Sequence, residues 1–140
     1  MNFYQAKVSY ERQTDNAISK VNETYLVSAD SFTEAETKLV KELRPLAITT
    51  NEIIDVKSLT FLNIKDFIRN EESYADPIYA KVKVAFQEVD MKSGTAKSKP
   101  CTIIVVVEDL KEVFAVVEET FKGSNLQILS VTDMLVIDMF

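Results

Sequence analysis

The chain has 140 residues, 46% of them hydrophobic and 27% charged, with two glycines, three prolines and a net charge of −6. This composition excludes a disordered chain, because there is enough apolar side chain to bury a core, and the scarcity of glycine and proline predicts long regular elements. The acidic balance denies the chain a whole-molecule field for nucleic acid or anionic lipid, so duplex DNA and membranes are not expected partners.

The first element is "FYQAKVSYE", starting at Phe3. Tyr4, Ala6, Val8 and Tyr10 alternate with Phe3, Gln5, Lys7 and Ser9, the period-two pattern of a strand with one buried face. A polar tip, "RQTDNAISK", separates it from "ETYLVSA", in which Tyr25, Val27 and Ala29 share a face, so the pair reads as a β-hairpin. Ser31 with Glu34 forms a capping box ahead of an amphipathic helix whose stripe is Phe32, Ala35, Leu39, Val40 and Leu43, and Pro45 stops it. "EIIDVKSLTFL" is a third strand, and its apolar face switches near Ser58, as a β-bulge would make it do. "RNEESYADP" is charged, polar and closed by Pro77, the composition of a linker.

The order then recurs. "YAKVKVAFQ" presents Ala80, Val82, Val84 and Phe86 on one face, "DMKSGTAKSKP" is a polar tip, and "CTIIVVV" is the next strand. Asp109 and Glu112 repeat the cap spacing before a stripe of Leu110, Val113, Phe114, Val117 and Phe121; Gly123 ends the helix, and "LQILSVTDMLVIDMF" closes the series. Lys83 aligns with Lys7 and Val84 with Val8 at an offset of 76, Leu110 with Phe32 at 78, and Val131 with Val56 at 75. The chain therefore reads as an α+β fold made by tandem duplication of a ferredoxin-like β-β-α-β unit, a mainly antiparallel sheet with two helices. The first repeat covers residues 1–68, the linker 69–77 and the second repeat 78–140, and the two are expected to form one pseudo-twofold domain. "TIIVVV" and "MLVIDMF" are apolar on both faces, which predicts central strands or a subunit interface in the second repeat. The interface candidates are Ile104, Val106, Leu135 and Ile137.

"YAKVKVAFQEVD" with its lysine-rich hairpin, the helix entry "YLVSADSFTEAE" and the ending "ILSVTDMLVIDMF" resemble a family of small proteins of unknown function from Bacteroidetes and their phages, along nearly the whole chain. The resemblance implies an accessory protein working in the cytoplasm of a bacterial host cell; it carries over no active-site residue. The chain departs from that family at the first hairpin tip, with Asn16-Ala17 where members carry glycine.

The residue inventory argues against catalysis. There is no histidine, the lone Cys101 has no base to activate it, and no phosphate loop, dinucleotide fingerprint or nucleophile elbow occurs. Glu34, Glu36, Asp109, Glu112, Glu118 and Glu119 fall at helix starts or on outward helix faces, where they complement the dipole or solvate the surface. The opening residues lack the apolar core of a signal peptide, and no apolar run approaches the ~20 residues of a spanning helix. No cofactor and no metal are expected. The remaining constellation is the second face of the two matching strands: Phe3, Gln5 and Lys7, and Tyr79, Lys81 and Lys83. Arg12 and Lys20 lie beside it, and Lys92, Lys97 and Lys99 near the second tip. Lysines with aromatics on a sheet face suit an anionic, nucleotide-like ligand. The expected function is a non-catalytic binding protein, a phage-associated accessory or anti-defence factor that sequesters such a ligand or blocks a host protein. The alternatives are single-stranded nucleic-acid binding through the lysine/aromatic face, or a structural module that works as a homo-oligomer.

Overall fold

A computed structural model of the chain describes residues 2–14, 17–46, 54–69, 74–89 and 91–140. The first hairpin tip at residues 15–16, the beginning of "EIIDVKSLTFL" and the middle of the linker lie outside these residues. In chain order the elements are β1 (Asn2–Thr14), β2 (Ala17–Ala29), α1 (Phe32–Leu43), β3 (Asp55–Leu62), β4 (Asp66–Arg69), β5 (Ile78–Val89), β6 (Ala96–Val107), α2 (Glu112–Thr120), β7 (Leu126–Asp133) and β8 (Val136–Met139). They form two four-stranded sheets, ordered β3-β1-β2-β8 and β4-β6-β5-β7, so the α+β reading holds.

Each repeat has one strand more than the sequence suggested, and that strand leaves its own repeat. The chain divides into one unit of residues 1–63 and 136–140 and a second of residues 64–135. β4, from the first repeat, pairs in parallel with β6, while β8, from the second, pairs in parallel with β2. Arg69, expected to open the linker, is instead the last residue of β4. "LQILSVTDMLVIDMF" is not one strand: it breaks after Asp133, and Leu135 takes a left-handed φ of 56° before β8 begins.

The first unit packs its even-numbered β1 residues, Tyr4, Ala6, Val8 and Tyr10, with Tyr25, Val27 and Ala29 of β2 against Ala35, Leu39 and Leu43 of α1. The capping box is present: Ser31 Oγ accepts from the Glu34 N–H at 3.1 Å, and Glu34 Oε2 accepts from the Asp30 N–H at 3.2 Å. Such a cap contributes about 1 kcal/mol. Phe32, expected in the buried stripe, is half exposed and instead meets the Tyr4 ring edge-on at 4.8 Å. In the second unit Ala80, Val82 and Val84 with Ile103, Val105 and Val107 bury Val113 and Val117 of α2. Here the cap differs: Asp109 Oδ1 accepts from the Lys111 N–H at 3.0 Å in a local turn, and α2 begins only at Glu112 without a side-chain cap. Gly123 takes the positive φ, 88°, that a helix stop requires.

The bulge is where the apolar switch put it. Lys7 pairs with Ser58 and Val8 with Val56, leaving Lys57 as the extra residue; Lys83 pairs with Ser130 and Val84 with Ile128, leaving Leu129. This corrects the alignment of the last strands, since Val56 corresponds to Ile128, an offset of 72 rather than 75. The same 72 places Asp66 on Asp138, and each aspartate Oδ1 accepts the N–H of the next residue, at 2.9 and 2.8 Å. The hairpin arms also run further than the polar tips implied. β6 starts at Ala96 and contains Pro100, which sits where β6 is flanked by β5 alone, because β4 covers only residues 103–106.

Val136 on β8 completes the first unit although it belongs to the second repeat. Val136→Asp is expected to destabilise that unit by about 3 kcal/mol. Residue-resolved hydrogen exchange should show faster exchange of the Ser28 amide, which donates to Phe140 O at 2.9 Å, with β5–β6 amides keeping their protection.

Candidate functional site

In each sheet the first strand of the repeat lies between two antiparallel neighbours, so residues facing away from the helix are held in fixed rows. On β1 these are Phe3, Gln5 and Lys7; on β5 they are Tyr79, Lys81 and Lys83. Lys7 stands between Thr24 and Ser58, and Lys83 between Thr102 and Ser130. The same Ser–Lys–Thr row thus occurs once per sheet, at the bulge. Directly opposed residues have Cβ atoms about 5 Å apart, so each exposed lysine rises from a row with a hydroxyl residue on either side of it. Gln5 is flanked by Leu26 and Thr60, and Lys81 by Ile104 and Thr132.

The rest of the expected patch divides. Lys20 keeps the Lys7 face, across from Glu11. Arg12 does not: it follows the even-numbered parity of Tyr10 onto the other face, with a guanidinium nitrogen 3.8 Å from Glu23 Oε2. Lys97 and Lys99 pair with Glu88 and Phe86, and so have the parity of the α2 side. Tyr79 is 1% exposed and cannot offer its ring to an incoming base, and Phe3 is half-buried. Of the interface candidates, Ile104 and Val106 are buried in β6 of the second unit. Leu135 is 75% exposed and Ile137 56% exposed. The reason lies in the register: Thr24 pairs with Val136 and Tyr25 with Asp138, so Ile137 is extruded as a bulge. The four residues do not share one sheet face.

The structure adds a cluster that the sequence reading missed. Tyr10 and Tyr25 both donate their hydroxyls to Glu23 Oε1, the latter at 3.0 Å, and Phe140 stacks on Tyr25 with ring centroids 5.0 Å apart. Its signal was present: Glu23 falls in the inward series with Tyr25 and Val27, where a carboxylate is out of place unless partnered. In the second sheet the matching positions hold Phe86, Cys101 and Ile103. Burial, and then the bond to Glu23, raises the Tyr10 phenol above its ordinary 10.0. Burial, followed by the bonds to Tyr10 and Glu23, raises Tyr25 further. A groove of about 520 Å³ also runs along α1 past Glu36, Thr37, Val40, Lys41 and Arg44, a lining of mixed charge that selects no single ligand chemistry. Among the described residues no group of three or more His, Cys, Asp or Glu side chains could hold a metal ion, and no helix is long and apolar enough to cross a membrane.

These phenols make a pH prediction. The folded chain retains protons that the unfolded chain loses above pH 10, so their contribution to stability is complete below 10 and falls as pH rises beyond it. Absorbance titration at alkaline pH should show a tyrosine ionisation step that coincides with unfolding, and replacing Tyr10 and Tyr25 by phenylalanine should shrink that step. Glu23→Ala removes the acceptor that both hydroxyls share, leaving them only each other, and is expected to cost about 2 kcal/mol in a urea melt.

No curated protein and no solved structure matches the chain. The duplication with its exchanged strands extends from β1 to β8, and one family covers the same extent. Over residues 2–140 the chain matches, and belongs to, the family described as "Domain of unknown function (DUF4494)".

Proposed function

We propose that the chain is a non-catalytic binding protein that sequesters small, phosphate-bearing, nucleotide-like ligands, with Lys7 in the first unit and Lys83 in the second each serving as a separate anion contact. The observation that carries this reading is the repeated row, Ser58–Lys7–Thr24 and Ser130–Lys83–Thr102. A lysine flanked in register by two hydroxyl residues can turn one charge-assisted and two neutral donors toward an anion seated on the row, a set that suits a tetrahedral oxyanion. Net charge of −6 opposes a long polyanion but leaves a short one to the field of the nearest lysine, within a Debye length of about 8 Å. The non-catalytic part rests on composition, above all the lack of histidine.

Single-stranded nucleic acid is the less supported reading, because a stacking platform needs exposed rings and Tyr79 is buried. Sequestration of a nucleotide-like signal fits the setting that the sequence resemblance implies, an accessory or anti-defence factor inside a bacterial cell.

Calorimetric titration with ATP and with inorganic phosphate tests the proposal. Lys7→Ala and Lys83→Ala are each expected to weaken binding at their own row about tenfold or more, the loss of one charge-assisted hydrogen bond, while the other row still binds, and the double variant is expected to lose both. Unchanged binding in the double variant, or none to either probe at millimolar concentration, overturns it. Tight binding to a thymidine oligonucleotide alone would transfer the case to the nucleic-acid reading.

A further inference from the structure

We propose that two copies of this chain associate by exchanging β8, each copy's β8 occupying the β2 edge of the other. The chain already folds by exchange within itself. The β2 edge accepts a strand delivered from the other repeat across Met134 and Leu135, the two residues between β7 and β8. What β2 recognises is local to β8 and Phe140. Val136 pairs with Thr24, Phe140 stacks on Tyr25, the Ser28 N–H donates to Phe140 O and the Phe140 N–H to Leu26 O, both at 2.9 Å. None of these contacts depends on which copy supplies the strand.

The crossing is tied by the Met134 N–H donating to Tyr79 O at 3.0 Å and the Leu135 N–H donating to Asp133 Oδ1 at 2.9 Å, and against these bonds it carries backbone strain. Leu135 has φ 56°, the one non-glycine residue with positive φ among those described. Leucine is sterically disfavoured there because its Cβ crowds the backbone. Its side chain is 75% exposed, so no burial offsets that cost. An extended hinge removes the strain, and short strained hinges promote exchange. The matching crossing at Asn63, Ile64 and Lys65 has no positive φ, which makes β8 rather than β4 the strand that leaves. The exposed Ile137, next to the hinge, gives the opened segment apolar surface to cover in the dimer. A strand on a short tether competes at an effective concentration of about 1 mM, and strain in the tether lowers the protein concentration at which the second copy wins.

Light scattering after size exclusion, over a dilution series from about 1 mM downward, tests this. The dimer fraction should rise with concentration. Leu135→Val, β-branched and worse at positive φ, should strengthen dimerisation; Leu135→Gly, free to adopt φ 56°, should weaken it about tenfold per hinge. Both changes sit at an exposed position and leave the packing intact. In a mixture of labelled and unlabelled copies, Tyr25–Phe140 proximity should appear between copies. A chain monomeric throughout the series in both wild type and Leu135→Val overturns the proposal. So does a dimer in which the Tyr25–Phe140 contact stays within each copy.

Discussion

The parallel docking of β4 on β6 and β8 on β2 is the constraint on which the rest of the architecture depends. A β-β-α-β unit has a three-stranded sheet whose second strand ends at an open edge, and open edges invite uncontrolled pairing. Here each repeat closes the edge of the other with four residues. The strands that do this are short and bring one apolar side chain each, Ile68 within β4 and Phe140 just beyond β8, both packed against the core of the receiving unit. Parallel pairing follows from the direction in which the chain arrives. An antiparallel partner could have come from a hairpin within the repeat, whereas a parallel one needs a connection from elsewhere.

Duplication kept the backbone and let the interiors diverge. Val8 and Val84 sit at matching places, each buried and each the first residue past a bulge. Around them the first unit carries a hydrogen-bonded Tyr10–Glu23–Tyr25 cluster, and the second carries Phe86 in T-shaped contact with Phe121 at 5.5 Å, with Lys65 Nζ 4.0 Å from the Phe86 ring centre. A polar network and an aromatic contact solve the same packing problem. The polar one is more exacting, since a half-satisfied buried network is worse than an apolar one. By contrast, the Ser–Lys–Thr row is the same in both sheets and solves no packing problem, because its lysines are exposed. Its presence in both copies is what makes it the strongest candidate for a shared function.

Much of this was legible in the residues. Alternation on β1, β2 and β5 placed their inward faces, the 3.6-residue stripe placed α1 and α2, and the change of parity at Ser58 placed the bulge, because these signals depend on neighbours a few positions apart. The lysine faces of β1 and β5 followed from the same parity. Arg12 was misplaced because it was assigned by its nearness to the hairpin tip instead of its parity, and Tyr79 because strand alternation does not reveal what covers the second face of a sheet.

The internal repeat, the element types and the inward side of most strands are written in the order of the residues, since steric and hydrophobic preferences act locally along the chain. Which sheet receives β4 and which receives β8 emerges from the folded arrangement. Four-residue strands carry too little periodicity to be separated from what precedes them, and their pairing is settled by an edge that lies tens of residues away. The same holds for Glu23, whose place among inward residues makes sense only once Tyr10, thirteen positions earlier, is brought across the ladder to meet it.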